Sequence, residues 1–219
     1  MEKTFLVTGA AGFIGFHLCK RLLKENYKIV GFDNLNSYYS IKLKKARIKE
    51  ISKLGRDFSF IDGDIEDLEF LERVFKDHKP QIVFNLAAQA GVRYSISDPI
   101  PFLKTNVIGF GNILEVCRKN DIEHLIYASS SSVYGGNRNL PYLEDSRVDH
   151  PVSLYAATKK SNELMAHTYS HLYSLPATGL RFFTVYGPWG RPDMSYFLFT
   201  KAIFGKKPIE IYNFGNMDR

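Results

Sequence analysis

Short apolar runs alternate with amphipathic stretches along most of the chain. Six runs have the length and composition of buried strands: TFLVTG, KIVGFD, FSFIDGD, QIVFNLAA, HLIYASS and ATGLRFF. The stretches between them have helical periodicity, over residues 13–25 and from about residues 41, 68, 102 and 155 onward. Parallel strands need crossover helices, so this alternation predicts an α/β fold with a doubly wound sheet of six parallel strands.

The pattern changes after Phe183. A loop rich in glycine and proline, TVYGPWGRPDM, precedes a short helical stretch and the strand-like segment PIEIYNF. The sequence therefore predicts a first domain over residues 1–183 and the beginning of a smaller C-terminal lobe over residues 184–219.

The composition is that of a soluble globular protein, because 45% of the 219 residues are hydrophobic and 24% are charged. No apolar run approaches the roughly 20 residues that a membrane-spanning helix needs. We therefore expect a cytoplasmic protein with no membrane contact. Cys19 and Cys117 lack the spacing of metal ligands or of a disulfide framework, so we predict two buried free thiols and no metal site.

The net charge of +6 comes largely from residues 42–56, KLKKARIKEISKLGR. Ile48, Ile51 and Leu54 recur there at helical spacing, which predicts a surface helix with its basic side chains in solvent. No interleaved aromatic platform accompanies the charge, so we predict no nucleic-acid partner. A small anionic ligand would also suit these residues.

Three glycines follow the first predicted strand. Gly9, Gly12 and Gly15 open the first helix, with Phe13 and Ile14 between the last two. Glycines at this place permit a tight turn and a close approach of the backbone to a pyrophosphate, and the helix N-terminus attracts the anion. The turn predicts a Rossmann-type dinucleotide site in the first domain.

Asp33 ends the second predicted strand and is followed by Asn34. A carboxylate there hydrogen-bonds an adenosine ribose and repels a 2′-phosphate, which favours NAD over NADP. The alternative is that Asp33 caps a turn together with Asn34. Asp64 and Ile65, after the third strand, are candidates to flank the adenine.

The segment SLYAATKKS places Tyr155 and Lys159 four residues apart on one face of a predicted helix. Alone, such a pair is usually a surface feature. The fifth strand, however, ends in residues 129–132, four serines, and ligands collect at the carboxyl ends of parallel strands. Both segments therefore reach the same edge of the sheet as the glycine turn, which favours a catalytic role.

The motifs TGAAGFIG, AAQAGVRYS, SSSSVYG, YAATK and RFFTVYGPWGRPDM stand in the order of one known family. Over essentially its whole length the chain resembles an extended short-chain dehydrogenase/reductase, specifically an NAD-dependent nucleotide-sugar epimerase. The resemblance implies that Tyr155 is the general base and acid, that Lys159 lowers the pKa of Tyr155 and binds the nicotinamide ribose, and that Ser130 hydrogen-bonds the reacting sugar hydroxyl.

The same resemblance implies further contacts. Ala87 and Asn106 match family positions near the cofactor, and Arg93 matches a position near the substrate. Arg219, in GNMDR, matches an arginine that contacts the nucleotide diphosphate. The alternatives are a helix-packing role for Asn106 and a loop-anchoring role for Arg93.

Two positions limit the reactions of the family that we expect for this chain. Dehydratases of the family usually have an Asp-Glu pair where this chain has Ser131 and Ser132, so elimination of water is not expected. The resemblance then implies a 4-epimerase, which oxidises the sugar at C4 with NAD and reduces it again on the opposite face.

The loop after the sixth strand resembles that of UDP-glucuronate 4-epimerases. By analogy, Thr184 and Arg191 bind the uronate carboxylate, with Ser131 and Ser132 nearby. A guanidinium suits a carboxylate through paired, charge-assisted hydrogen bonds. The alternative for Arg191 is an exposed loop arginine.

The family normally continues for roughly another third of a chain, so the sequence is either a fragment or a shortened form. Three functions stay open: a UDP-glucuronate epimerase, a related decarboxylase or an epimerase of N-acetylated UDP-sugars, and a truncated NAD-binding module without turnover. The resemblance also implies a homodimer formed through the helices near residues 102–118 and 155–173.

Overall fold

The computed structural model describes residues 3–55 and 57–215. Its centre is a sheet of six parallel strands in the order β3-β2-β1-β4-β5-β6. The strands are β1 (Thr4–Thr8), β2 (Lys28–Asp33), β3 (Phe58–Asp62), β4 (Ile82–Asn85), β5 (His124–Ser130) and β6 (Ala177–Phe182). All six lie in the runs selected from the sequence, and the order is that of a doubly wound Rossmann sheet, so the predicted fold class is confirmed.

Helices connect successive strands. They are α1 (Phe13–Lys24), α2 (Ile41–Ser52), α3 (Leu68–His78), α4 (Tyr94–Ser97), α5 (Ile100–Phe102), a π-helix (Leu103–Gly109), α6 (Phe110–Lys119), α7 (Leu154–Tyr173) and α8 (Ser195–Phe204), with 3₁₀ turns at Ser131–Tyr134 and Tyr212–Gly215. The expectation of a strand at PIEIYNF is wrong. A strand needs a hydrogen-bonded neighbour, and in the described part of the chain no strand lies beside this segment. The segment ends in the second 3₁₀ turn.

The core has two layers because successive side chains of a strand face opposite sides of the sheet. In β1, Val7 packs in one apolar cluster with Phe16 of α1. Leu6 packs on the opposite face, in a cluster that contains Phe75 of α3 and Leu114 of α6. All five side chains are buried, so helices cover both faces of the central strands.

Helix α2 differs from the prediction of a solvated basic face. Ile51 is buried as expected, but Leu54 lies beyond the end of the helix and is 42% exposed. Lys44 and Arg47 point inward and are 4% and 0% exposed. The inner side of α2 meets loop backbone as well as apolar side chains, and carbonyl groups there satisfy the basic side chains.

Cys19 and Cys117 are buried free thiols, as predicted. Burial raises the pKa of the Cys19 thiol to about 12 and also raises the pKa of Cys117. Across the part of the chain that the structure describes, no helix combines the length and the apolar character needed to cross a bilayer.

Candidate functional site

A cavity of about 280 Å³ lies at the carboxyl ends of the strands. It includes the point between β1 and β4 where the strand order reverses, which is where ligands bind in sheets of this kind. Most of the residues selected from the sequence line it: Gly9, Gly12, Phe13, Ile14, Gly15, Asp33, Asn34, Asp64, Ile65, Ala87, Ser130, Ser131, Ser132, Tyr155, Lys159, Thr184 and Arg191. The fold therefore brings the predicted cofactor and catalytic residues into one cavity.

The glycine turn is closely packed. Gly9 has a φ of +70°, and a Cβ atom there would lie 2.8 Å from the backbone nitrogen of Ala87. A Cβ atom at Gly15 would collide with the Gly9 carbonyl oxygen. Gly12 is the N-cap residue of α1 and has no side chain to accept the first helical N–H groups, which leaves them for an anion.

Asp33 caps the turn after β2, and its role at an adenosine ribose stays a prediction. Its Oδ1 accepts a hydrogen bond from Leu35 N at 2.9 Å, which caps the turn, and its Oδ2 accepts one from Ala11 N at 3.2 Å. Burial raises the pKa of Asp33, and the nearby Lys44 ammonium opposes the rise. Its carboxyl group still lines the cavity beside the glycine turn.

Two further polar residues extend this edge of the cavity. Asn34 Nδ2 donates to Asp64 Oδ2 at 2.8 Å and so joins the ends of β2 and β3. Ile65, the next residue, is almost fully buried. Asp64 and Ile65 thus form a polar and an apolar part of the cavity wall near Asp33.

Tyr155 lies in the first turn of α7. The helix begins after Ser153, whose Oγ accepts from Ala156 N at 3.1 Å. The Tyr155 phenol lies close enough to Ser130 for the Ser130 hydroxyl to lower its pKa, and Ser130 Oγ accepts from Ser132 N at 3.2 Å. Phenol and hydroxyl therefore lie near each other at the end of β5.

The pKa of Tyr155 is raised, chiefly by burial. The Ser130 hydroxyl and the positive charge of Arg191 oppose this rise. Lys159 Nζ donates to Ala128 O at 2.8 Å, and burial lowers the pKa of this ammonium to about 8. That Lys159 lowers the pKa of Tyr155 stays a prediction.

A partly buried ion pair fixes α7 to the sheet. Arg181 of β6 donates from Nε and Nη2 to the two carboxylate oxygens of Glu163, at 2.9 and 3.0 Å. Glu163 also accepts from Ser129 Oγ at 2.6 Å. Since Ser129 precedes Ser130 and Glu163 follows Lys159 by one helical turn, the pair aligns the two segments that carry the catalytic candidates.

Arg191 is not an exposed loop arginine. Its Nε donates to Asp193 Oδ1 at 3.0 Å and its Nη2 to Asp193 Oδ2. Tyr38 Oη donates to the same carboxylate at 3.1 Å. The guanidinium thus has a fixed orientation beside Tyr155, while Thr184 lies exposed at the edge of the cavity.

Three selected residues do not line the cavity or are not described. Asn106 is buried in the π-helix, where its amide bonds Gln89 N, Gln89 O and Thr158 Oγ1, so direct cofactor contact is not supported and the packing alternative is. Asn106 thereby holds Gln89, a residue of the loop after β4 that lines the cavity. Arg93 is exposed and is not among the residues that line the cavity. Arg219 lies outside the described residues.

Sequence reasoning missed the residues that α2 and its preceding loop bring to the cavity. Asn36, Tyr38, Tyr39 and Lys44 line it, within the segment DNLNSYYSIKLKKARI. The two adjacent tyrosines before a predicted helix were the available signal. Tyr39 Oη accepts a hydrogen bond from the buried Arg47 of α2, and the charge pattern alone does not predict that burial.

The chain is similar to known proteins over nearly its whole length. Residues 5–219 match the NAD dependent epimerase/dehydratase family. Protein CapI of Staphylococcus aureus is 58% identical over 98% of this chain and 64% of its own length. A probable UDP-glucuronate 4-epimerase of Rhizobium meliloti is 48% identical over 98% of this chain and 63% of its own length.

Among solved structures, UDP-glucuronic acid 4-epimerase of Bacillus cereus, in complex with UDP-glucuronic acid and NAD, superposes with a TM-score of 0.87 at 38% identity. The match covers 95% of this chain and 65% of that one. The chain thus spans slightly less than two thirds of the length of these relatives. With the family match, the glycine turn and the Tyr155–Lys159 helix in agreement, the chain belongs to the NAD dependent epimerase/dehydratase family, whose cofactor is NAD.

Proposed function

We propose that this chain carries the NAD site and the catalytic residues of a UDP-sugar 4-epimerase that interconverts UDP-glucuronate and UDP-galacturonate. The observation that carries the proposal is the meeting of Tyr155, Ser130 and Arg191 in the cavity that also contains the glycine turn. A proton acceptor, a hydroxyl donor and a carboxylate-binding cation are the groups that this reaction requires. The named relatives and the B. cereus enzyme support the same activity.

The residues present fit NAD. The closely packed turn at Gly9, Gly12 and Gly15 leaves backbone N–H groups for the pyrophosphate. Asp33 would hold the adenosine ribose, and Asp64 and Ile65 would flank the adenine. Bound there, oxidised NAD would supply a reversible hydride acceptor for C4 of the sugar and a positive charge at the nicotinamide.

In the proposed mechanism, Tyr155 takes the proton of the sugar 4-hydroxyl and later returns it. Ser130 donates to the phenolate oxygen and orients the sugar hydroxyl. Because burial raises the pKa of Tyr155, the phenolate needs the donors and positive charges around it, and Arg191 supplies one of these charges. Lys159, held by the Ala128 carbonyl, would bind the nicotinamide ribose.

Arg191 would select the uronate. Its Nε and Nη2 are engaged by Asp193, and the donors on Nη1 and the second hydrogen of Nη2 would bind a substrate carboxylate. Thr184, Ser131 and Ser132 supply hydroxyls at the same edge. A carboxylate held in this way is discouraged from leaving as carbon dioxide once C4 has become a ketone, because a β-keto acid must align its carboxylate to decarboxylate.

Elimination of water is not supported, since Ser131 and Ser132 provide no acid–base pair. The remaining alternatives are decarboxylation of UDP-glucuronate, epimerisation of a neutral or N-acetylated UDP-sugar, and NAD binding without turnover. These alternatives differ in the products that they give from UDP-glucuronate and from other UDP-sugars.

The test is incubation of the protein with NAD and UDP-glucuronate, followed by chromatography of the nucleotide sugars and collection of carbon dioxide. UDP-galacturonate supports the proposal. Released carbon dioxide with a UDP-pentose product selects the decarboxylase. Turnover restricted to neutral or N-acetylated UDP-sugars selects the second alternative. Bound NAD with no product from any UDP-sugar selects a binding module.

The proposed enzyme is also a homodimer. Apolar side chains are exposed on the helices that the sequence selected: Ile108, Leu164 and Leu172 are 56%, 56% and 61% exposed. Leu164 and Leu172 are eight residues apart and therefore share one face of α7. Adjacent exposed apolar faces on two helices favour burial against a second copy of the same pair.

A further inference from the structure

Arg47 of α2 is fully buried and donates all five of its N–H groups to protein oxygen atoms. Nη1 donates to Ala11 O at 2.9 Å and to Tyr39 Oη at 2.7 Å. Nε and Nη2 donate to Trp189 O at 3.2 and 2.6 Å, and Nη2 also donates to Gly190 O at 3.2 Å. The four acceptors are neutral, and none of the ion pairs among the described residues includes Arg47.

These acceptors belong to separate parts of the site. Ala11 lies inside the glycine turn that receives the pyrophosphate, and Tyr39 lies in the loop before α2. Trp189 and Gly190 immediately precede Arg191, the proposed carboxylate ligand. One guanidinium therefore joins the cofactor half of the cavity to the sugar half.

The loop that Arg47 holds is strained. Trp189 has a φ of +64°, in the left-handed region that side chains other than glycine rarely adopt. Such a conformation persists only when neighbouring contacts enforce it. Two hydrogen bonds from Arg47 to the Trp189 carbonyl, and packing of Phe16 of α1 against the Trp189 ring at 5.4 Å between centroids, provide that enforcement.

The charge of Arg47 is also incompletely balanced. Lys44, another buried cation, lies close enough to interact with it, while Asp33 interacts with Lys44. A buried positive charge without a carboxylate partner is costly, and an anion bound nearby reduces that cost. The pyrophosphate of NAD at the glycine turn is such an anion.

We propose that Arg47 is a positioning residue that couples NAD binding at the glycine turn to the ordering of residues 187–194, and through them to the placement of Arg191. The coupling to NAD is inferred from the five hydrogen bonds of Arg47. The effect of this coupling on the binding of a uronate rests on the function proposed above. Coupling of this kind is reciprocal, so the sugar nucleotide and NAD strengthen the binding of each other.

The test is hydrogen–deuterium exchange with and without NAD, in the absence of any sugar nucleotide. In the unmodified protein we expect NAD to slow exchange in residues 9–15 and also, by about threefold or more, in residues 187–194. Arg47→Lys keeps the charge, but a single ammonium cannot span the Ala11 and Trp189 carbonyls. We therefore expect this variant to bind NAD within about threefold of the unmodified affinity and to lose the slowing at residues 187–194.

Arg47→Met removes both charge and hydrogen bonds, and Lys45→Met, at an exposed position of the same helix, is the matched control. The control should behave as the unmodified protein. The proposal is overturned if NAD fails to slow residues 187–194 in the unmodified protein, or slows them equally in Arg47→Lys. Loss of NAD binding and of loop ordering together in Arg47→Lys would show a purely structural role and would also overturn it.

A second arm separates this proposal from the epimerase proposal. In a Tyr155→Phe background, which is expected to slow turnover strongly, the affinity for UDP-glucuronate is measured with and without NAD. We expect NAD to lower the Kd for UDP-glucuronate by about fivefold or more. In the Arg47→Lys variant we expect NAD to leave this Kd unchanged. If UDP-glucuronate does not bind at all, the proposed substrate is wrong, and the exchange experiment still decides the role of Arg47.

Discussion

Tyr155 is the residue on which the proposed chemistry depends. Tyr155→Phe removes the phenolic oxygen and keeps the ring, which packs edge-on against Phe102. We expect conversion of UDP-glucuronate to fall by about 10²- to 10⁴-fold, the usual contribution of a general acid–base group. NAD should stay bound. Tyr173→Phe, at the exposed end of the same helix, is the control, and equal rates for the two variants would remove Tyr155 from the mechanism.

Arg191 is expected to distinguish a uronate from a neutral sugar. Loss of its charge-assisted hydrogen bonds in Arg191→Ala should raise the KM for UDP-glucuronate by about 10- to 100-fold. Turnover of a neutral UDP-sugar, where present, should change much less. Asp193→Asn weakens the pair that orients Arg191 and should shift KM in the same direction by a smaller factor. Equal losses on both substrates would refute the carboxylate assignment.

Lys159 makes stability depend on pH in the absence of NAD. Burial lowers its pKa from 10.5 to about 8, so between these values the unfolded chain binds more protons than the folded chain. The free energy of unfolding therefore rises with pH from about 8 to 10.5, and below pH 8 the cost of burying the charge is present in full.

Lys159→Met removes this titration. We expect its free energy of unfolding, relative to the unmodified protein, to fall by about 2–3 kcal/mol as the pH rises through that window. Urea unfolding at several pH values measures the difference, with Lys45→Met as the control. Parallel pH profiles for the unmodified protein and Lys159→Met would contradict the assignment of the low pKa to this lysine.

At the scale of elements, the Glu163–Arg181 pair joins α7 to β5 and β6. Glu163→Gln removes the negative charge and leaves the Arg181 guanidinium partly buried beside Tyr134 and Glu144 O. An unpaired, partly buried charge is destabilising, and we expect the free energy of unfolding to fall by about 2 kcal/mol. Denaturant unfolding measures it.

The control for this pair is Glu123→Gln, which breaks the exposed pair with Lys3. Exposed ion pairs contribute little, so its effect should be near zero. Equal effects for the two variants would mean that the connection between α7 and the sheet does not depend on this carboxylate.

Helix α2 shows where sequence reasoning fails at this scale. The spacing of its apolar residues predicted a helix correctly, and Ile51 is buried as expected. Lys44 and Arg47 were assigned to solvent because charged residues are rarely buried. Their acceptors are carbonyls and hydroxyls of distant loops, including Ala11 and Trp189, and no local pattern records such contacts.

Asn106 illustrates the same limit in a different way. Its family position was recognised, but its amide is engaged by Gln89 and Thr158. Only the folded chain shows that it supports the loop after β4 rather than the cofactor. Residue type and order identified the site, whereas the direction of each side chain depended on tertiary packing.

At the scale of the whole molecule, the sheet was the most predictable feature. Each strand is a short apolar run, and each crossover has a helical period, so the alternation leaves few possible topologies. The observed order 3-2-1-4-5-6 follows. The glycine turn, Asp33 and Tyr155 then fall at one edge of the sheet because all parallel strands end there.

Dimerisation is the remaining prediction at this scale. Ile108→Asp together with Leu164→Asp places two charges in the exposed apolar face of the π-helix and α7. If that face is buried against a second copy, charges there are costly, and the protein should change from dimer to monomer in light scattering at matched concentration. Leu140→Asp, on a loop and 74% exposed, is the control and should leave the mass unchanged.

The fold of the double variant should be retained, because both positions are exposed within one copy. Circular dichroism and NAD binding check this point. A monomeric mass for the unmodified protein, or a dimer that survives both substitutions, would exclude this face as the interface. A loss of epimerisation together with the dimer, at retained NAD affinity, would instead indicate that contact between copies stabilises α7 and with it the position of Tyr155.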